Sequence, residues 1–136
     1  KDTAYILAHD SGGATIGSIV HDSATGNFLI MATSDQRLKD NIRTTQVNGL
    51  KSIMDIGLYD FEWKRSGKTT TCGFVAQDLE KHYPDAVSEH KEDDGEITKM
   101  VSNSSLVPPM IKAMQEQQDL IESLIARIQV LENKID

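Results

Sequence analysis

The sequence predicts an α+β protein in three parts. Short N-terminal strands complete a larger β-structure, a small α+β domain follows, and a long C-terminal coiled-coil helix joins copies of the chain. Three observations carry this prediction. Residues 1–33 are poor in charge, and turn residues break them into short apolar bursts. Residues 34–105 switch between period-two and helical patterns. Residues 106–136 hold a heptad repeat with no Gly or Pro after Pro109.

The first part contains the bursts Tyr5-Ile6-Leu7, Ile16, Ile19-Val20 and Phe28-Leu29-Ile30-Met31. The turn signals Asp10-Ser11-Gly12-Gly13 and Thr25-Gly26-Asn27 separate them, so the segment reads as three short strands. Isolated hairpins are marginal in water. These strands are therefore expected to complete a sheet or β-helix supplied by other chains or by residues upstream.

In the second part, Leu50, Ile53, Met54 and Ile56 fall at helical spacing within Thr45–Gly57, with Gly57 as the stop. Leu58–Lys64 alternates like a strand, Arg65-Ser66-Gly67-Lys68 is a turn, and Thr69–Phe74 returns as its hairpin partner. Ala76–Tyr83 reads as a short helix ended before Pro84. Ala86–Glu89 and Glu96–Val101 flank the turn Glu92-Asp93-Asp94-Gly95 and suggest a second hairpin. Cys72 reads as a small residue packed beside a strand.

The third part reads as one helix, with Ser104 or Ser105 as its cap and Pro108 and Pro109 in its first turn. Met114, Ile121, Ile128 and Ile135 recur every seven residues, and Met110, Gln117, Leu124 and Leu131 fill the second heptad position. This is a coiled-coil seam, with Arg127 and Glu132 placed to pair between helices. Leu120 and Ile125 widen the apolar face and favour three strands, whereas Ile and Leu at the two seam positions favour two. The heptads leave both open.

Bulk properties narrow the function. The 136 residues suit one domain of ordinary size, and a first residue of Lys1 rather than Met predicts a fragment of something longer. A net charge of −7 argues against nucleic acid, which needs a basic face. No apolar run approaches the roughly 20 residues that span a bilayer, and no signal peptide is evident. One cysteine excludes an internal disulfide framework. Phosphate loops, dinucleotide fingerprints and zinc-ligand spacings are absent, so no metal or cofactor is expected. His9, His21, His82 and His90 are scattered singly, and Asp93-Asp94-Gly95-Glu96 lacks the ligand spacing of a calcium loop.

One segment has chemical potential: Ser34-Asp35-Gln36-Arg37-Leu38-Lys39-Asp40-Asn41-Ile42, at the junction of the first two parts. A serine hydroxyl becomes a nucleophile when a base takes its proton. A lysine serves as that base when desolvation lowers its pKa. On a helix, residues five apart point about 140° away from each other. Ser34 and Lys39 therefore meet only if the chain between them is non-helical, or if the lysine comes from a neighbouring subunit. The competing reading makes Ser34 the cap of a helix beginning at Asp35. On spacing alone the cap prevails.

Ser34–Ile42 resembles the opening motif of the intramolecular chaperone domain of endosialidases. This is a peptidase family found at the C-termini of phage tail fibres, tail spikes and neck appendages, and in a eukaryotic myelin regulatory factor. The likeness continues in order. Phe61-Glu62-Trp63 resembles the family's Phe-x-Trp strand, and Gly73-Phe74-Val75-Ala76-Gln77-Asp78-Leu79 its Gly-Phe-Ile-Ala-Gln-Glu-Leu block. Pro84-Asp85-Ala86-Val87 follows, and Leu106-Val107-Pro108 through Ala113-Met114-Gln115-Glu116-Gln117 resembles the start of the long C-terminal helix. Lys99-Met100-Val101-Ser102 departs from the Val-Asp-Tyr common in relatives.

The resemblance implies a homotrimer whose only partners are copies of itself and the upstream fibre region of its own chain. Residues 1–33 would end a triple-β-helix-like fibre, 34–105 would form the chaperone domain, and 106–136 the trimeric coiled coil. Met114, Gln117, Ile121, Leu124, Ile128, Leu131 and Ile135 would be the trimerisation residues. After folding the fibre in the host cytoplasm, the domain would release itself from it by autoproteolysis. Ser34 would be the nucleophile, Lys39 the base, Asp35 a supporting residue that orients Lys39, and Thr33–Ser34 the bond cut. The alternatives are a non-catalytic trimerisation module and a receptor-binding fibre tip.

Overall fold

A computed structural model describes residues 3–134, with side chains described from residue 6 onward. Ile135, the last seam position, lies outside the described residues. The chain divides into two compact units, 1–44 and 45–136.

The first unit is an antiparallel meander of β1 (Thr3–His9), β2 (Thr15–His21) and β3 (Phe28–Ala32). Its turns form where acidic side chains replace backbone partners. The Asp10 carboxylate accepts from the N–H groups of Gly12 and Ala14, each at 2.9 Å. Asp22 does the same for Ala24 at 2.9 Å and takes the Thr25 hydroxyl at 2.6 Å. Each turn also holds a glycine with positive φ, Gly13 at 82° and Gly26 at 75°. Pairing runs from Gly17↔Ala32 to His21↔Phe28. At Gly17 a Cβ would stand 2.9 Å from the Met31 carbonyl oxygen, so the two backbones approach where only glycine fits. None of the described side chains in this unit is buried; Phe28 is 70% exposed and Ile30 87%.

The second unit has a core. Its elements are α1 (Gly49–Met54), β4 (Tyr59–Glu62), β5 (Thr69–Gly73), α2 (Ala76–His82), β6 (Val87–Lys91), β7 (Ile97–Val101) and the 26-residue α3 (Val107–Glu132). β4–β5 and β6–β7 are separate antiparallel hairpins. Leu79, Ala86 and Leu106 form the buried centre, with Ile56, Phe74, Tyr83, Val87 and Val101 packed around them. Lys99 ties β7 to α2 and β6 through Glu80 at 2.7 Å and Glu89 at 3.2 Å.

Both hairpins, the helix before Pro84 and the long helix stand where the sequence predicts them. Several local expectations need correction. The helix predicted over Thr45–Gly57 contracts to α1, because the Asn48 side chain accepts from the Lys51 N–H at 2.8 Å and starts the helix there. Ser104 and Ser105 do not cap α3. They lie in a 3₁₀ turn, Asn103–Leu106, and Leu106 occupies the cap position without a side-chain hydrogen bond. Ala86 belongs to the turn Pro84–Ala86 rather than to a strand. Cys72 is exposed, not packed, and has φ of +58°. It sits where the β4–β5 register shifts, and its N–H donates to the Asp60 carboxylate at 2.9 Å.

α3 has two regimes. Near its start it packs on α1: Ala113 is buried, and a Cβ on Gly49 would stand 2.6 Å from the Ala113 nitrogen. The Glu116 carboxylate accepts from the α1 N–H groups of Leu50 at 2.8 Å and Gly49 at 3.3 Å. Beyond that point the helix stands uncovered. Met114, Ile121, Leu124, Ile128 and Leu131 are between 44% and 68% exposed, and Gln117 is exposed with them.

Candidate active site

The segment around Ser34 is built from a strand end and one tight turn. Thr33 lies one residue beyond β3. Its N–H donates to the Ile16 carbonyl at 3.0 Å and its hydroxyl to the Thr15 carbonyl at 2.8 Å. A single 3₁₀ turn follows, Gln36–Leu38. Its cap is Asp35, not Ser34: the Asp35 carboxylate accepts from the Arg37 N–H at 2.8 Å. The helix-cap reading of Ser34 is thereby replaced.

The turn ends at Lys39, whose backbone is extended at φ −130°, ψ 133°. Leaving the helical path lets the long side chain fold back. Lys39 Nζ donates to Ser34 Oγ at 2.5 Å, within one chain and across five residues. This is the non-helical route of the two that the spacing left open. Among the described residues, Lys39 Nζ has no other hydrogen-bond partner and no carboxylate within salt-bridge distance.

Asp35 is occupied elsewhere. Its carboxylate grips the Arg37 guanidinium through Nε at 3.1 Å and Nη2 at 2.6 Å. The hydrogen bond from the Arg37 side chain, then that from the Arg37 N–H, hold the Asp35 carboxyl below its ordinary pKa. The nearby Lys39 charge adds less, and desolvation opposes. The same ion pair raises the Arg37 guanidinium. Asp35 therefore shapes the turn that aims Lys39, and contacts Arg37 rather than the Lys39 amine.

Ser34 and Lys39 are both exposed in the single chain. The heptad positions from Met114 to Leu131 lie on α3, in the other unit. Among the described residues there is no cluster suited to a metal ion, and no helix is long and apolar enough to cross a membrane. The hydroxyl bond of Thr33 was beyond sequence reasoning, since its acceptor is a backbone carbonyl 18 residues away.

Comparison with known proteins meets this geometry at its first residue. Residues 34–88 match the model of a peptidase family described as chaperone of endosialidase, and the chain carries a domain of that family. It is also homologous to phage long tail fibre proteins. It is 34% identical over 110 residues to the long tail fibre protein Gp37 of Enterobacteria phage Ox2, covering 76% of this chain and 43% of that protein. Gp37 of Enterobacteria phage M1 is 35% identical over 110 residues, with the same coverage. The chain thus spans less than half the length of these relatives.

Proposed function

We propose that this chain trimerises, guides the folding of a phage tail fibre to which it belongs, and then cuts itself free at Thr33–Ser34. The observation that carries the cleavage reading is the contact between Lys39 Nζ and Ser34 Oγ at 2.5 Å. It sits where a β-structure without a core of its own meets the first residue of the family match.

The chemistry balances with this chain's own atoms and one water. Ser34 Oγ gives its proton to Lys39 Nζ and attacks the Thr33 carbonyl carbon. The C–N bond of the adduct breaks, Lys39 passes the proton to the departing Ser34 nitrogen, and an ester joins Thr33 to Ser34 Oγ. Water hydrolyses the ester, leaving a Thr33 carboxylate and a free Ser34 amine and hydroxyl. Each chain reacts once.

Timing follows from exposure. Lysine becomes a base when desolvation disfavours its charged form. A pair open to water needs cover from other copies or from the upstream fibre. Assembly then switches the site on.

The trimer reading rests on apolar surface. Among the described residues only Leu79, Ala86, Leu106 and Ala113 are buried hydrophobics, while the seam of α3 and the strands of the first unit stay open. A chain with so small a core gains its stability between copies. Early union through α3 raises the effective concentration of strands whose pairing is otherwise slow. Cleavage afterwards removes the folding route and leaves the fibre kinetically trapped.

The test uses the full-length chain. Wild type is expected to yield two pieces, and Ser34→Ala and Lys39→Ala to stay whole as folded oligomers. Whole wild-type chains in a folded trimer would instead support a non-catalytic module.

A further inference from the structure

Thr33 makes two hydrogen bonds to consecutive carbonyls at the start of β2: its N–H to Ile16 at 3.0 Å and its hydroxyl to Thr15 at 2.8 Å. The first prolongs the β2–β3 ladder, whose last pair is Gly17↔Ala32. The second belongs to the side chain and is not part of any ladder. One bond fixes where Thr33 sits. Two bonds to neighbouring carbonyls also resist its rotation about the strand. The next atom along the backbone is the carbonyl carbon that Ser34 Oγ would attack.

We infer that Thr33 is a positioning residue, and that its hydroxyl bond to the Thr15 carbonyl makes attack by Ser34 conditional on β2 having paired with β3. The inference rests on the reading of Thr33–Ser34 as the bond cut, and adds a sensor to it. Acyl transfer demands a carbonyl held within a few tenths of an ångström of the attack line, and a misplacement of about 1 Å costs on the order of 100-fold. With β2 undocked, both acceptors are gone and the acyl half of the bond swings freely. With β2 docked, the carbonyl is held while Lys39 holds Ser34 Oγ. Completion of the upstream sheet is thereby read out at the scissile bond.

Gly17 gives a second handle away from the reacting atoms. A Cβ there would meet the Met31 carbonyl oxygen at 2.9 Å, a backbone atom that cannot turn aside. Gly17→Ala therefore pries β2 from β3 and loosens the Thr33 clamp without altering Ser34, Lys39 or Thr33.

The experiment follows the self-cleavage time course of the full-length chain, scored only on folded oligomers. Thr33→Val keeps size and β-branching but loses the hydroxyl; its cleavage is expected to slow about tenfold. Thr33→Ser restores a hydroxyl and is expected to return most of the rate. The pH dependence should keep its midpoint in both, because the Lys39–Ser34 contact is untouched. Gly17→Ala should slow cleavage as well. Wild-type rates in Thr33→Val, or equal slowing in Thr33→Val and Thr33→Ser, would overturn the sensor while Ser34→Ala still blocks the cut. Cleavage that persists in Ser34→Ala would overturn the underlying reading instead.

Discussion

The two units of this chain are built from similar pieces and differ in what covers them. Both contain antiparallel hairpins closed by Asp- and Gly-bearing turns. In the second unit, α2 packs on the β6–β7 hairpin, and Leu79 and Leu106 are only 1% and 4% exposed. In the first, none of the described side chains is buried, and Ile30 stands 87% exposed. Turn chemistry is enough to form strands, but stability requires a second layer. One unit brings its own layer and the other is left open, and Ser34 stands just past the last strand of the open sheet.

The largest effect should come from the surface that would recruit the missing layer. Replacing Ile121 and Ile128 together by Asp puts charges on the exposed seam of α3. Sedimentation of the full-length chain should then show monomer or aggregate in place of a trimer, and soluble trimers would refute the role of the seam.

Next come the two kinds of apolar residue. Leu79→Ala should cost roughly 2–5 kcal/mol in chemical unfolding, since it empties a filled site. Ile30→Ala sharpens the contrast. An open sheet predicts a change within about 0.5 kcal/mol, whereas a sheet covered in the assembly predicts about 2 kcal/mol or more. Assembled fibres are expected to show the second value.

The smallest effect is electrostatic. Glu116 is held below its ordinary pKa, first by the Leu50 N–H and then by the Gly49 N–H and the Lys112 charge, with desolvation opposing. A carboxylate with a depressed folded pKa contributes stability above its unfolded pKa and loses it as pH falls through the folded one. Unfolding midpoints should therefore drop below the ordinary carboxylate range of pH, and Glu116→Gln should flatten that slope. An unchanged slope would mean that the link between α1 and α3 does not depend on the charge.

Much of this was legible in the sequence because it is local. Gly26 and Gly95 mark turns, Pro84 marks a helix end, and the heptads from Met114 mark one face of α3. What escaped depends on distant partners or on one dihedral. Glu116 caps a helix 66 residues away. Cys72 reads as a small residue packed beside a strand, yet it is exposed, with φ of +58° where the β4–β5 register shifts. At the candidate site, Ser34 and Lys39 were visible as residue types. Their meeting was not, because it hangs on Asp35 capping a three-residue turn and on Lys39 leaving it extended.

The most direct measurement is N-terminal sequencing of the C-terminal fragment released from the full-length chain. Wild type is expected to release a fragment that begins with Ser34, and Lys39→Ala to release none. A fragment starting at any other residue, or the same fragment from Lys39→Ala, would contradict the proposed cleavage.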